Sequence, residues 1–172
     1  MREVSASTTI FESPWVRLVA RPATSGEEPH YVLESADYVC AVCLDEAGDL
    51  VFVRQFRPAV AGMTCELPAG TVDPGEEPAA AAARELYEET GYRAASMQLL
   101  GCLWPDTGRL GNRQWCYFAH QATRDPGHAG EAGVEVVHVR PAPLAELMAE
   151  HGFCPALHCA ALALAREGGL IP

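Results

Sequence analysis

Lysine is absent from this chain of 172 residues, so all twelve basic side chains are arginine. Without lysine, chemistry that uses a lysine nucleophile or a lysine Schiff base is excluded. Positive charge is scarce as a whole, because the formal net charge is -11. Nucleic acids and anionic membrane surfaces attract basic proteins, and we therefore expect neither of them as a partner.

Long apolar runs are also missing. No stretch reaches the roughly 20 apolar residues that a membrane-spanning helix requires, and the N-terminal MREVSASTTIFESP lacks the apolar region of a signal peptide. These absences predict a cytoplasmic protein. Hydrophobic residues make up 49% of the chain, which is enough to build the core of one domain.

The seven cysteines are an odd number and lie in apolar stretches, which favours buried, reduced thiols over a disulfide framework. Cys40 and Cys43 form a C-x-x-C pattern within YVCAVCL, a predicted strand. Side chains three residues apart in a strand point to opposite faces. A metal or redox site shared by this pair is therefore not expected.

The predicted elements follow the order strands, helix, strands and two closing helices. Residues 1–35, with the turn PATSGEEP, predict a small leading β-segment, and residues 36–172 predict the main domain. DYVCAVCL and LVFVRQF flank the turn DEAGD and predict a β-hairpin, whereas RPAVAGMTC predicts a connecting loop. We expect an α+β protein with a mixed sheet between helices. The remaining strands are predicted in MQLLGCLW, RQWCYFAH and VEVVHVR, and the closing helices in PLAELMAEHG and PALHCAALALAREGG.

The clearest helix is AAAAARELYEETG, with Pro78 in its first turn and Gly91 just past its end. Glu85, Glu88 and Glu89 stand at i, i+3 and i+4, so their carboxylates share one face. Crowded carboxylates repel one another unless a cation or water relieves the repulsion. The alternatives are a divalent metal site and a solvated acidic face. These three glutamates taken alone favour the solvated face.

The wider spacing around this helix favours the metal site instead. Gly70 is followed after five residues by Glu76, and after seven more by the run RELYEETGY. A chance match to this pattern has a probability below about 10⁻⁵ in a chain of average composition. The pattern resembles the Nudix box, with Leu86 and Tyr92 in its bulky apolar positions. The chain is thus similar to the Nudix hydrolases, which use a divalent metal to cleave a nucleoside diphosphate linked to another moiety.

The resemblance implies a Nudix α/β/α sandwich and a Mg²⁺ site, in which Mn²⁺ can substitute. It implies that Glu85 and Glu89 are the principal metal ligands. The carbonyl oxygen of Ala69 or Gly70 is implied as a backbone ligand. Glu88 is implied as a further ligand or as a group that orients water, so all three glutamates are candidate catalytic residues.

The resemblance also implies roles for charged residues around the metal ligands. Arg84 is expected to be structural and bonded to Glu76 or another acid. In the ADP-ribose pyrophosphatase branch of the family, the general base is a glutamate in a mobile loop outside the box. Glu131, in DPGHAGEAG, occupies the corresponding region, and Glu135 is the second choice.

DYV, VRQFRP and ELPAG resemble the ADP-ribose pyrophosphatase branch. This branch implies hydrolysis of ADP-ribose to AMP and ribose 5-phosphate by a homodimer that uses the N-terminal β-segment. Arg54 and Arg57 match an arginine that contacts the substrate, although either could pair with surface acids instead. Trp15 or Phe11 is implied to stack on adenine. A place in the subunit interface is the favoured alternative for Trp15.

One position departs from the branch, because Thr107 stands where a marker proline is expected, sixteen residues after Gly91. Arg109 or Arg113 could therefore read a phosphate or a sugar acid, or belong to a solvated turn. The alternative substrates are another nucleotide sugar or a nucleoside triphosphate. A non-enzymatic ligand sensor is disfavoured because the box carboxylates are all present. His158 is expected on a helix surface or in a dimer contact.

Overall fold

The computed structural model describes residues 7–22, 28–153 and 155–172. Part of the leading segment, most of the PATSGEEP turn and Cys154 lie outside the described residues. The helices are α1 (Pro78–Thr90), α2 (Leu144–His151) and α3 (Ala156–Glu167). The strands are β1 (Thr8–Glu12), β2 (Arg17–Arg21), β3 (His30–Glu34), β4 (Tyr38–Cys43), β5 (Leu50–Arg57), β6 (Gly62–Glu66), β7 (Ala69–Thr71), β8 (Tyr92–Arg93), β9 (Ser96–Leu103), β10 (Gln114–His120), β11 (Thr123–Arg124) and β12 (Val134–Val139).

The predicted helices are present, and α1 begins and ends for the expected reasons. Pro78 occupies its first turn, where a missing N–H costs nothing. Gly91 ends it in the left-handed conformation at φ 76° and donates its N–H to the carbonyl of Tyr87 at 2.8 Å. In the described part of the chain, no helix combines the length and apolarity needed to cross a membrane.

Two sheets form the centre of the fold. One has the strand order β7-β4-β10-β9, in which β4 and β10 are parallel and the other pairs are antiparallel. The other is antiparallel, with β5 between β12 and β6. Leu86 of α1 packs on one side with Ala41 and Cys43, and Leu162 of α3 packs on the other side with Cys40. The expected α+β sandwich with a mixed sheet is therefore confirmed, and Cys40 and Cys43 face opposite ways.

The predicted hairpin of β4 and β5 is wrong, because the two strands belong to different sheets. The DEAGD turn does form, with the Asp45 N–H bonded to the Asp49 carbonyl at 2.9 Å and an isolated bridge between Leu44 and Leu50. Beyond that bridge, each strand is paired on both edges with other partners. A turn signal is local, whereas the choice of partner strand depends on where both faces can be buried.

The loop predicted in RPAVAGMTC is only half correct. Pro58–Val60 is a short 3₁₀ turn, and Ala61 follows it at φ 50°. The chain then returns as β6, which pairs antiparallel with β5 from Gly62 to Glu66. Glycine, methionine and threonine give no clear strand pattern, so this strand owes its form to the neighbouring β5.

The leading segment forms its own antiparallel sheet of β1, β2 and β3. Its edge strand β3 is tied to the main domain, because Leu33 accepts a backbone hydrogen bond from Gly111 at 2.9 Å and donates one to Arg109 at 2.8 Å. The connection between β9 and β10 therefore continues this sheet. Phe11 and Trp15 remain exposed on it.

Two phenylalanines of β5 should differ sharply in their contribution to the free energy of unfolding. Phe52 is fully buried and stacks on Phe153 with ring centroids 4.7 Å apart, whereas Phe56 is 58% exposed. Phe52→Ala should lower the free energy of unfolding by about 3–5 kcal/mol, because it leaves a cavity. Phe56→Ala should change it by less than about 0.5 kcal/mol. Urea titrations of both variants check this, and equal losses would contradict the assigned core.

Candidate active site

Gly70 brings the backbone of β7 against the carboxylate of Glu85. A Cβ atom at this position would overlap the carboxyl carbon and both carboxylate oxygens of Glu85. Glycine is thus required here for close approach rather than for an unusual backbone angle. The backbone of β7 can lie directly against the Glu85 carboxylate because residue 70 has no side chain.

Glu89 is held in the same place but is more deeply buried, with 5% of its surface exposed. Its Oε2 accepts the N–H of Ala69 at 2.9 Å, and Gln55 Nε2 donates to its Oε1 at 3.4 Å. Burial raises the pKa of Glu89 to about 7, against the hydrogen bond from Ala69. The negative charges of Glu85 and Glu131 raise it further.

Arg84 is the counter-ion of the acidic cluster. Its Nε and Nη2 bind both oxygens of Glu76 at 3.0 and 2.8 Å, and its Nη1 contacts Glu85 at 2.8 Å and Glu88 at 3.1 Å. The same guanidinium donates to the Thr71 carbonyl at 3.0 Å. The expected pairing of Arg84 with Glu76 is therefore present. Burial still raises the pKa of Glu85 despite this partner.

The segment between β6 and β7 is fixed from three directions. The Leu67 N–H donates to His158 Nδ1 at 3.2 Å, and the Pro68 carbonyl accepts from Ala41 at 2.9 Å. The Ala69 N–H is bound by Glu89, as described above. Helix α3, β4 and α1 therefore all hold the backbone that reaches Gly70.

The expectation for His158 is wrong. The residue is neither on the helix surface nor free for a dimer contact, since only 6% of it is exposed. Burial lowers the pKa of His158 to about 4. A neutral ring leaves Nδ1 as an acceptor, which is what the Leu67 N–H requires.

Arg57 lies beside the cluster and already has a partner. Its guanidinium forms a bidentate pair with the buried Glu66, at 2.9 and 2.7 Å. Although burial opposes it, this pair together with Thr64 lowers the pKa of Glu66. The positive charge of Arg57 also reaches Glu89, whose pKa it lowers.

Arg54 faces away from these residues. It neighbours Gln55 in β5, and adjacent side chains in a strand point to opposite faces. Gln55 contacts Glu89, so Arg54 lies on the other side of the sheet. Glu135 stands opposite Arg54 in the β12–β5 register and shares that other side. The structure therefore separates this pair from the acidic cluster.

Glu131 lies in the connection between β11 and β12 and is exposed. Its charge raises the pKa of both Glu85 and Glu89. Such an effect requires its carboxylate to lie near theirs. Of the two glutamates considered for the base, Glu131 is the one whose charge acts on Glu85 and Glu89.

Two other predicted substrate residues lie elsewhere. Trp15 sits between β1 and β2 and is 83% exposed. Arg109 and Thr107 line a cavity of about 540 Å³ between the leading sheet and the β9–β10 connection, together with Trp104 and His30. The metal-binding candidates are not among the residues that line this cavity.

The donor set fits a hard divalent cation with few protein ligands. Across residues 7–22, 28–153 and 155–172, no three His, Cys, Asp or Glu side chains are grouped so that they alone could hold a metal. Glu85 and Glu89 flank the Ala69–Gly70 backbone, while Glu88 is half exposed and bonded to Arg84. Mg²⁺ commonly takes one or two carboxylates and completes its shell with water and substrate phosphates.

Several residues of this site carry no sequence signal strong enough to single them out. Gln55 is adjacent to Arg54, a predicted substrate residue, and only the alternation of β5 indicates that Gln55 lies on the face of the acidic cluster. His158 lacks ligand-like spacing, and its contact with Leu67 joins positions 91 residues apart. Glu66 begins the ELPAG run, whose resemblance pointed to a branch but not to a buried ion pair.

The profile of the NUDIX domain matches residues 35–156. The chain therefore belongs to the Nudix hydrolase family, whose members are pyrophosphohydrolases and typically use a divalent metal. The fold is also that of a solved structure described as an ADP compounds hydrolase. The TM-score is 0.77 and the identity 21%, over 96% of this chain and 92% of that one.

Curated relatives resemble shorter stretches. An ADP-ribose pyrophosphatase from Bacillus subtilis is 36% identical over 70 residues, which is 41% of this chain and 38% of that protein. An ADP-sugar pyrophosphatase from Mus musculus is 42% identical over 59 residues, which is 34% of this chain and 27% of that protein. In both cases the chain matches well under half of the relative's length.

Because Gly70 and Glu85 are in close contact, we expect that a side chain at position 70 would weaken metal binding. Gly70→Ala should displace the Glu85 carboxylate and weaken Mn²⁺ affinity by about tenfold or more, the lower end of the range for disturbed ligand positioning. The end of a side chain can move without unfolding the core, so the melting temperature should change little. Gly62→Ala, where the nearest atom to a new Cβ is 3.7 Å away, is the matched control. Unchanged Mn²⁺ titration in Gly70→Ala would contradict the ligand assignment.

The buried acid predicts an unusual pH dependence of the metal-free protein. The pKa of Glu89 in the fold is about 7, above its ordinary 4.5. Its contribution to stability is therefore complete below about pH 4.5 and is lost as the pH rises through about 7. The melting temperature should fall over this range in the wild type but less in Glu89→Gln. Added Mg²⁺ should raise it most above about pH 7, where the ligand is ionised. Parallel falls in both proteins would contradict the prediction.

Proposed function

We propose that this protein is a Mg²⁺-dependent hydrolase of nucleoside diphosphate sugars, acting on ADP-ribose to give AMP and ribose 5-phosphate. The carrying observation is the pair of half-buried and buried acids, Glu85 and Glu89, held against the Ala69–Gly70 backbone. Their mutual repulsion favours a cation at this place. The names of the curated relatives support the ADP-containing substrate.

Each residue of the cluster has a task in this reaction. Glu85, Glu89 and the carbonyl of Ala69 or Gly70 would hold Mg²⁺, with Mn²⁺ as a substitute, and Glu88 would orient water at the rim. A bound divalent cation would neutralise phosphate charge, polarise the phosphorus and make water more acidic. Arg84 would hold the carboxylates in place through its hydrogen bonds to Glu76, Glu85 and Glu88.

Glu131 is the proposed general base. It would take a proton from the water that attacks one phosphorus of the diphosphate, while the bond from that phosphorus to the bridging oxygen breaks. The bridging oxygen leaves with the other phosphate, which stays attached to its own half of the substrate. One water is consumed, and AMP and ribose 5-phosphate are the two products.

We assign substrate recognition to three arginines. Arg57 would contribute positive charge beside Glu89, and Arg54 would contact a part of the substrate that reaches the opposite face of the β5 sheet. Arg109 lines the cavity that also contains Thr107, so this cavity would accept the sugar or base beyond the phosphates. A different nucleotide sugar is the second candidate substrate, since threonine replaces the marker proline there.

The leading sheet is proposed to form a homodimer. Ile10, Phe11 and Trp15 are all more than half exposed on or between its first strands. Exposed apolar side chains grouped in this way are typical of protein interfaces. Trp15 would then be covered by the second subunit, in which it could also meet the adenine.

The proposed chemistry predicts a selective product pattern. With Mg²⁺, the protein should convert ADP-ribose to AMP and ribose 5-phosphate in a panel of nucleotide sugars and nucleoside triphosphates. Glu89→Gln should reduce turnover by on the order of 10²-fold or more while preserving the fold, since it removes a proposed metal ligand. Glu150→Gln, on the exposed side of α2, is the control. Cleavage of triphosphates but not of nucleotide sugars would overturn the proposal.

A further inference from the structure

Tyr87 lies on α1 among the acidic residues but points to a different group of partners. Its hydroxyl donates to Asp125 Oδ2 at 3.0 Å. Its ring is covered by the Arg93 guanidinium, 3.5 Å from the centroid, and meets the His128 ring edge-on at 4.9 Å. One helix side chain thus contacts the chain that leads from β11 towards Glu131.

Residues 125–131 follow β11 and are called here the 125–131 connection. Asp125 organises the first residues of this connection. Its N–H donates to the Gly91 carbonyl at the end of α1 at 2.9 Å, and its Oδ1 accepts the Gly127 N–H at 2.9 Å. The His128 N–H donates to the Asp125 carbonyl at 3.2 Å. The carboxylate that Tyr87 binds is therefore the centre of a folded turn.

His128 extends this series of hydrogen bonds to the next residues of the connection. Its Nδ1 accepts the Gly130 N–H at 3.0 Å, and the Glu131 carbonyl accepts the Val134 N–H at 3.1 Å. A Cβ atom on Gly91 would lie 2.9 Å from the His128 Cβ, so the connection packs directly on the helix end. Consecutive contacts therefore link Tyr87 to the residue next to Glu131.

We infer that Tyr87 is a positioning residue, which through Asp125 holds the 125–131 connection on α1 and so fixes the position of Glu131. This inference rests on the proposed function, in which Glu131 is the base. The same helix then presents the candidate metal ligands on one face and fixes the base from the neighbouring face. If the general base is no longer held in position, kcat should fall while the affinity for the metal stays unchanged.

The test is a double-mutant cycle on the full chain. Tyr87→Phe keeps the ring between Arg93 and His128 but removes the hydroxyl. It should lower kcat about tenfold, the rate equivalent of one hydrogen bond to a charged acceptor, with unchanged Mn²⁺ affinity. Glu131→Gln should lower kcat more. The double variant should be no slower than Glu131→Gln alone, because Tyr87 acts through that residue.

Hydrogen exchange provides a second reading that does not require turnover. The Gly127 and Gly130 amides should exchange several-fold faster in Tyr87→Phe than in the wild type. Tyr92→Phe is the matched control, because it also removes a hydroxyl bonded at 3.3 Å, in this case to His138. This variant should leave both kcat and the exchange of these amides unchanged.

Three outcomes would overturn the inference: wild-type exchange in Tyr87→Phe, a kcat loss that multiplies with that of Glu131→Gln, or a loss of Mn²⁺ affinity. Full activity in Glu131→Gln would instead refute the proposed base, and with it the path from Tyr87 to catalysis. Failure to hydrolyse ADP-ribose would refute only the substrate. The cycle would then use the compound that the panel identifies, and the exchange comparison would be unaffected.

Discussion

A single guanidinium, that of Arg84, ties the acidic helix of this protein to the loop and the strand beside it. Arg84 spans Glu76, Glu85, Glu88 and the carbonyl of Thr71, so it joins the loop before α1, the helix itself and β7. Without this counter-ion, three carboxylates within two turns would repel one another across a partly buried face. The arginine does not cancel the whole charge, because Glu89 lies outside its reach of hydrogen bonds and has its pKa raised by burial. The negative charges of Glu85 and Glu131 raise this pKa further, so part of the like charge stays uncompensated here.

The candidate ligands are positioned by parts of the chain that lie far apart in sequence. The backbone from Leu67 to Gly70 is fixed by His158 of α3, by Ala41 of β4 and by Glu89 of α1. Each contact satisfies a backbone group that would otherwise be buried without a partner. The core therefore does more than stabilise the fold, since it also sets the distance between a carbonyl-bearing strand and the carboxylates that face it.

The sequence predicted the parts of the molecule that depend on local signals. The bounds of α1 and the role of Gly91 follow from helix propensity and turn chemistry, and both are present. The family resemblance implied the pairing of Arg84 with Glu76 or another acid, and the pair with Glu76 is present. The hairpin of β4 and β5 and the loop before ELPAG were wrong, because strand pairing is decided by distant partners. The predicted position of His158 was wrong for the same reason, since its hydrogen-bond partner is the backbone N–H of Leu67, 91 residues away in the sequence.

The amino-acid sequence by itself determined the family, the candidate metal ligands and their common helix face, because the box is a fixed spacing on one helix and its preceding loop. Only the tertiary structure decided which glutamate is buried, which arginine is already paired and which loop acid acts on the cluster through its charge. Those properties arise from burial and from charges brought together across the fold. No local pattern records them, because exposure and electrostatic environment are produced by packing.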